Sequence, residues 1–180
     1  DGQPDNDGVS EWAGWSFANA TWRSQTAGDQ RRSEFKKAIG TAAIADGDEW
    51  DDQSRDGGNM NAFMTTEAIS IDGIMENSLV LRFHSSWRPE KVQTATIEAT
   101  IDDGDPIEIM RWESEGGDTA YYHDQNPNET VNISINNPAG AKTIKFTFGY
   151  LDAGNNWWWA VDNLILAGEP KPIFTENFDI

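Results

Sequence analysis

The chain has 180 residues, carries a formal charge of −18 and contains no cysteine. This length accommodates one domain with a full-sized core. The lack of cysteine excludes disulfides, zinc–thiolate sites and thiol chemistry. The negative field repels nucleic-acid backbones and anionic lipid surfaces and attracts cations, although the same charge also suits a solubility shell in a salty medium. No apolar run approaches the ~20 residues of a membrane span. We therefore expect neither a nucleic-acid partner nor membrane insertion.

The start of the chain predicts a flexible segment followed by a folded domain. Residues 1–10 are rich in Asp, Asn and Gly, which is typical of a mobile terminus. The folded domain is predicted over residues 11–168. Within its first part, only residues 30–39 have a modest helical pattern.

The next feature is an acidic cluster, Asp46-Gly-Asp-Glu-Trp-Asp-Asp52, in which five of seven residues are carboxylates. Crowded carboxylates raise the cost of ionising one another, and a bound cation removes that cost. Ca²⁺ takes about six to eight oxygen ligands, often from an Asp-rich loop that contains Gly. We expect a calcium site here, with Asp46 and Asp48 facing one cavity and Asp51 or Asp52 adding a ligand. The alternative is a solvated acidic turn.

From residue 78 onward, apolar and polar residues alternate with a period of two, as in half-buried strands. Such runs occupy residues 78–84, 93–101, 106–112, 131–135, 144–150 and 157–166. Clusters of Gly, Asn, Asp and Pro separate them, as turns do in antiparallel folds. The pattern predicts an all-β fold of about eight to ten strands in two packed sheets, an antiparallel β-sandwich of the jelly-roll type.

Asp162 interrupts the apolar run 157–166. An ionised carboxylate in such surroundings needs a cation or several hydrogen-bond donors. We therefore expect Asp162 to join the acidic cluster around calcium, and the alternative is bonding to backbone amides.

The polar faces of two predicted strands and a bordering loop carry side chains suited to carbohydrate binding. Aromatic rings stack on the apolar faces of pyranoses, and nearby polar groups bond the hydroxyls. The predicted platform consists of Arg82, His84, Glu108, Trp112 and Tyr122. The alternative is that the tryptophans pack the sandwich core.

The end of the chain predicts a linker and a further strand. Residues 169–172 include two prolines, which exclude both a helix and a central strand. Residues 173–180 then predict a strand that either closes the domain or begins a following repeat.

Three blocks, Ala45–Asp52, Ser85–Glu90 and Ala153–Leu164, together resemble a known type of module. It is the jelly-roll accessory module of secreted bacterial hydrolases, metallophosphoesterases especially, and of large surface proteins. These modules are similar to MAM, cleaved-adhesin and galactose-binding-like domains. The resemblance implies a galactose-binding-like fold and a calcium site lined by Asp162 and Glu176. The family's Phe-x-Glu-x-Phe-Asp strand normally opens the module, whereas its match here, Phe174–Asp179, comes last.

The inventory of reactive residues argues against catalysis. The chain has two histidines and no cysteine, and it lacks the motifs of a two-metal phosphoesterase, a nucleophile elbow or a phosphate loop. We therefore expect a non-catalytic, calcium-stabilised binding module of a secreted or cell-surface bacterial protein. Carbohydrate is the expected ligand, and neighbouring domains are the expected partners. The alternatives are a structural or adhesive repeat of a large extracellular protein and a ligand-free accessory domain of a metallophosphoesterase.

Overall fold

The structure is a computed structural model that describes residues 12–25, 28–52, 58–117 and 119–172, apart from the side chain of Trp22. Three sequence predictions lie outside these residues: the flexible segment 1–10, the calcium ligand Glu176 and the terminal strand 173–180.

The described residues form ten strands in two antiparallel sheets, which confirms the predicted all-β sandwich. The strands are β1 (Ser16–Asn19), β2 (Thr41–Asp46), β3 (Met60–Thr65), β4 (Ile69–Ser70), β5 (Leu79–Trp87), β6 (Thr94–Ile101), β7 (Ile107–Glu113), β8 (Asn126–Ile135), β9 (Thr143–Ala153) and β10 (Trp158–Ala167). The first sheet has the order β1-β2-β10-β5-β8. The second has the order β3-β9-β6-β7, and β4 also pairs with β9.

Among the described residues, helical structure consists of short pieces outside the two sheets. Helix α1 spans Ala20–Gln25, helix α2 spans Gly47–Asp52, and a 3-10 turn spans Arg32–Glu34. The predicted helix over residues 30–39 is thus only this turn. Asp29, Gln30 and Arg31 have φ angles of 65°, 46° and 75°, which a right-handed helix cannot contain. No helix of the described residues is both long and apolar enough to span a bilayer.

The main core lies between the two sheets. Period-two alternation turns Leu79, Leu81 and Phe83 of β5 inward, where each is almost fully buried. They pack with the aromatic residues of both sheets, including Trp159 of the first and Phe148 of the second. Burying each large apolar side chain contributes about 1.5–3 kcal/mol, so this layer supplies much of the force that holds the sheets together.

A second, smaller core covers the outer face of the first sheet. Trp12 and Phe35, from the segment before β2, pack on Ile44, Trp158 and Ala160, which point away from the main core. This packing brings the 3-10 turn against the end of β2. The first sheet is therefore buried on both faces at β2 and β10, and a polar cluster lies at the margin of this outer layer.

Candidate functional site

The acidic cluster begins at the point where β2 ends and α2 starts, and it surrounds an arginine from the 3-10 turn. Nη2 of Arg32 lies 2.7 Å from Oδ2 of Asp46 and 2.6 Å from Oε1 of Glu49. Nε of Arg32 also donates to Oδ2 of Asp46 at 2.8 Å. The side chains of Arg32 and Asp46 are fully buried. The rings of Trp12 and Trp158 flank the guanidinium at 5.5 and 5.0 Å. We call Arg32, Asp46 and Glu49 the ionic cluster.

Negative charge exceeds positive charge at this point. Carboxylate oxygens of Asp46, Asp48 and Glu49 lie within 4.8 Å of one another, and one guanidinium faces them. Oδ2 of Asp48 is buried without a hydrogen-bond partner among the described residues. Burial raises the pKa of Asp46 and that of Glu49, while the charge of Arg32 opposes both shifts.

The structure brings together only some of the predicted calcium ligands. Asp46 and Asp48 are close, as their spacing predicted, whereas Asp51 and Asp52 lie exposed on α2. Asp162 lies elsewhere, because Asp46 pairs with Trp158 and Asp162 is four residues further along β10, about 13 Å away. Its Oδ2 accepts a 2.6 Å hydrogen bond from the backbone N–H of Ile39, which is the alternative considered for this residue.

Sequence reasoning missed two members of the ionic cluster. Glu49 was part of the acidic motif, but its role as the second partner of the arginine could not be read from spacing. Arg32 precedes Asp46 by 14 residues and belongs to no recognisable motif. The only available signal was that a chain with few cations has an arginine inside the predicted helical segment, residues 30–39.

The structure does not assemble the predicted carbohydrate platform. Arg82 and His84 point outward from β5 in the first sheet, whereas Glu108 lies on β7 in the second sheet. Trp112 is in the core between them, 9% exposed, and its ring stacks on His123 at 3.8 Å. The platform therefore has to be rejected as one surface, because the sandwich core separates its members.

A β-bulge explains why the side chains of Glu108 and Trp112 lie on opposite faces of the sheet. The register shifts between the pairs Ile97–Met110 and Glu98–Glu108, so β7 carries one extra residue there. Met110 and Trp112 face the core, while Glu108 faces solvent and binds Arg111 at 2.7 Å. Strict alternation along the sequence had placed Glu108 and Trp112 on the same side.

Tyr122, the last predicted platform residue, is partly exposed on the loop after β7. Its hydroxyl donates to Oδ1 of Asp124 at 2.7 Å, and this bond raises the pKa of Tyr122. The neighbouring Tyr121 is 49% exposed, and the guanidinium of Arg111 lies 5.9 Å from its ring. The loop thus presents aromatic surface.

A different aromatic surface occurs at the opposite edge of the sandwich, where β1 and β3 end the two sheets. Phe17 of β1 and Phe63 of β3 are 61% and 62% exposed. Two depressions of about 330 and 430 Å³ meet at Phe17, Met64 and Thr65. We call the two depressions together the edge groove.

Local packing fixes the groove and its two rings. Nε1 of Trp15 donates to the carbonyl oxygen of Ala62 at 3.3 Å and so ties β1 to β3. Phe63 lies opposite Gly149, where an added Cβ would come within 3.3 Å of the Phe63 ring and 2.5 Å of Oγ1 of Thr96. Glycine therefore lets the ring lie close to the sheet surface.

Hydroxyl and amide groups accompany the rings. The polar side chains of the described lining are Thr41, Asn61, Thr65, Thr66, Asp162 and Asn163. Asp162 is the one ionisable residue among them. The edge groove thus combines exposed aromatic rings with uncharged hydrogen-bonding groups, which is the composition of a small-ligand site that orients hydroxyls.

No family model matches the chain, and no curated protein matches it either. Among solved structures it is similar to the K1 cleaved adhesin domain of Lys-gingipain from Porphyromonas gingivalis W83. The identity is 14%, the match covers 92% of this chain and 89% of that one, and the TM-score is 0.52. This likeness agrees with the β-sandwich fold.

Two carbohydrate-binding structures also match along most of the chain. TmCBM61, solved with β-1,4-galactotriose, is 11% identical over 93% of this chain and 96% of that one, with a TM-score of 0.49. A family 11 carbohydrate-binding module from Clostridium thermocellum, solved with a β-1,3-1,4-mixed-linked tetrasaccharide, is 12% identical. That match covers 88% of this chain and 84% of that one, with a TM-score of 0.35.

Proposed function

We propose that this protein is a non-catalytic carbohydrate-binding module whose glycan site is the edge groove. The observation that carries the proposal is Phe17, an exposed ring between two depressions. A pyranose ring presents apolar C–H faces that stack on an aromatic ring, while its hydroxyls need hydrogen-bond partners at the sides. Phe17 and Phe63 offer the first kind of contact. The side chains of Asn61, Thr65 and Asn163, which also bond neighbouring groups of the protein, offer the second through their remaining donors and acceptors.

The exposure of these rings supports a binding role over a folding role. Large apolar side chains that serve the core are buried, as Phe83 is at 0% exposure. Phe17 and Phe63 leave most of their surface in water and lie close together at one edge, and contiguous patches of this kind mark interaction sites. The depressions also have the size of ligand sites, about 300–1,000 Å³.

A panel of soluble polysaccharides tests the proposal by affinity electrophoresis. We expect at least one polysaccharide to retard the wild-type protein, and Phe17→Ala to remove that retardation. Tyr121→Ala is the matched control, because it also removes an exposed ring but lies on the loop after β7. Retardation that survives Phe17→Ala and disappears in Tyr121→Ala would move the site to that loop. A panel without any retardation would contradict the function.

We also propose that Ca²⁺ binds beside the ionic cluster and stabilises the fold. Asp46, Asp48 and Glu49 supply the carboxylates, and the unpartnered Oδ2 of Asp48 is the atom that most needs a cation. The fit is partial, because Arg32 already bonds Asp46 and Glu49. Backbone carbonyl oxygens and water would have to complete the oxygen shell.

Thermal unfolding with chelator and with added calcium tests this second proposal. Ca²⁺ that binds the folded state raises Tm in a concentration-dependent way. Asp48→Asn should remove this response, whereas Asp51→Asn, an equal change of charge at an exposed position of α2, should retain it. A Tm that does not respond to calcium would leave Arg32 as the only cation of the site.

Carbohydrate binding and calcium binding would both fit a location outside the cell. Extracellular calcium modules work with dissociation constants of about 10⁻⁴–10⁻³ M, and the proposed site, which already contains an arginine, would be of this weak kind. We therefore propose that the module belongs to a secreted or cell-surface protein, in which neighbouring domains are its partners.

A further inference from the structure

A second cavity, distinct from the edge groove, lies between α1 and the segment that follows the 3-10 turn. Its volume is about 370 Å³. Arg23, Ser33, Phe35 and Lys36 contribute to its lining, and the described part of that lining contains no carboxylate. In a chain with a formal charge of −18, a cavity with two cations and no acid is unusual. We call it the cationic pocket.

The two cations of the pocket are incompletely partnered. Arg23 is 3% exposed, and its Nη1 donates to the carbonyl oxygen of Ala18 at 2.8 Å. Its Nε is buried and has no hydrogen-bond partner among the described residues. Lys36 is exposed and forms no ion pair with any described acid. A buried N–H donor without a partner is costly, so the guanidinium of Arg23 is only partly compensated.

Three nearby acids are already hydrogen-bonded, and one of them, Asp29, bonds Ser33 of the pocket lining. Asp29 accepts hydrogen bonds from the backbone N–H and the hydroxyl of Ser33, and Glu34 forms a two-bond pair with Arg31. Asp162 accepts from the backbone of Ile39. Burial lowers the pKa of Arg23, and the charge of Asp162 offsets only part of this shift. Arg23 is thus a buried cation that its own surroundings do not fully compensate.

We propose that the cationic pocket binds an oxyanion, either free sulfate or the carboxylate of an acidic sugar, with Arg23 and Lys36 as its two charge partners. A guanidinium and an ammonium form charge-assisted hydrogen bonds to such oxygens, which are stronger than neutral ones. The cavity is large enough for a single sugar ring beside Phe35. This site is independent of the edge groove, whose described lining has no cation.

NMR titration of the arginine Nε–H signals tests the proposal directly. Sodium sulfate, sodium D-glucuronate and the neutral methyl glucoside are added separately, and sodium chloride keeps the ionic strength constant. We expect saturable shifts of the Arg23 signal with sulfate or glucuronate and none with the neutral glycoside. A response to sulfate alone assigns the site to a free anion, and tighter binding of glucuronate assigns it to an acidic sugar.

Two matched variants distinguish oxyanion binding in the cationic pocket from general effects of salt. Lys36→Gln should weaken oxyanion binding at least about tenfold, because it removes one charge-assisted contact. Lys37→Gln should leave binding unchanged, since the ammonium of Lys37 bonds Oγ1 of Thr130, away from the pocket. Shifts that do not saturate, or shifts that are equal in Lys36→Gln and the wild type, would overturn the proposal.

Discussion

The ionic cluster and the edge groove depart from normal residue placement in opposite directions. The cluster hides charge, since Arg32 and Asp46 are fully buried. The groove exposes apolar rings, since Phe17 and Phe63 keep more than half of their surface in water. Charged residues are rarely buried without partners, and contiguous aromatic surface is rarely left exposed without a use.

The difference lies in where the compensating partner is found. The charges of the cluster meet each other at 2.6–2.8 Å, and two tryptophan rings enclose the arginine. The rings of the groove have no such enclosure. We infer that the cluster serves the fold and that the groove serves a ligand. Variants of the two regions should accordingly separate stability from binding.

The largest effect should come from Arg32→Met. Removing the guanidinium leaves two buried carboxylates without their cation, and breaking a buried ion pair in this way costs about 3–5 kcal/mol. Arg31→Met is the matched control, because Arg31 pairs with Glu34 on the surface, where solvent screens the ion pair and leaves it little effect on stability. Urea unfolding measures both free energies. Equal losses in the two variants would show that the cluster is not a buried structural element.

An intermediate effect is expected from pH. Because burial raises the folded-state pKa of Asp46 and Glu49, their favourable contribution is fully present below the ordinary carboxyl pKa and is lost as pH rises through the raised values. Tm should therefore fall as the pH rises above the ordinary carboxyl pKa of about 4.

Glu49→Gln distinguishes the effect on Tm of the buried carboxyls from the effect of charge repulsion over the whole acidic surface. The variant removes one of the buried titrating carboxyls, so its Tm should depend less on pH than that of the wild type. Asp51→Asn removes an exposed carboxyl of the same helix and should follow the wild-type curve. A wild-type Tm that rises with pH above about 4 would mean that the charge of Arg32 outweighs the burial of its two partners.

The smallest effect on stability should come from Phe17→Ala. An exposed position of an edge strand contributes little to folding, so we expect a change within about 0.5 kcal/mol. Phe83→Ala, at a fully buried position of β5, should cost about 3–5 kcal/mol. Chemical denaturation of the two variants measures this contrast. A large loss in Phe17→Ala would identify the ring as part of the core and weaken its assignment to a ligand.

The fold could be predicted because alternation is a local property of the sequence. Runs such as residues 78–84 carry their inward and outward faces in the order of their residues, and β5 retains them. The site was harder to predict. Arg32 contacts Asp46 only because the outer layer folds back over the first sheet. The spacing of apolar and polar residues along the sequence does not reveal such a contact between distant segments.

Two wrong predictions about the candidate site also have physical causes. One extra residue at the bulge of β7 places Glu108 on the opposite face from Trp112. The alternation of apolar and polar residues in the sequence does not show where such a bulge occurs. Phe17 was missed because β1 has only four residues, too few for the alternation to show that its ring stays exposed. Spacing did predict that Asp46 and Asp48 would meet, because two residues apart at a strand end is a local relation.

The central claim is that the edge groove binds a glycan, and amide NMR tests it most directly. The wild-type protein is titrated with oligosaccharides of the polysaccharide that retards it in electrophoresis. We predict saturable shifts that concentrate on β1 and β3, around Phe17, Phe63 and Thr65. Shifts that concentrate instead around Tyr121 and Tyr122, or around Arg82 and His84, would contradict this assignment.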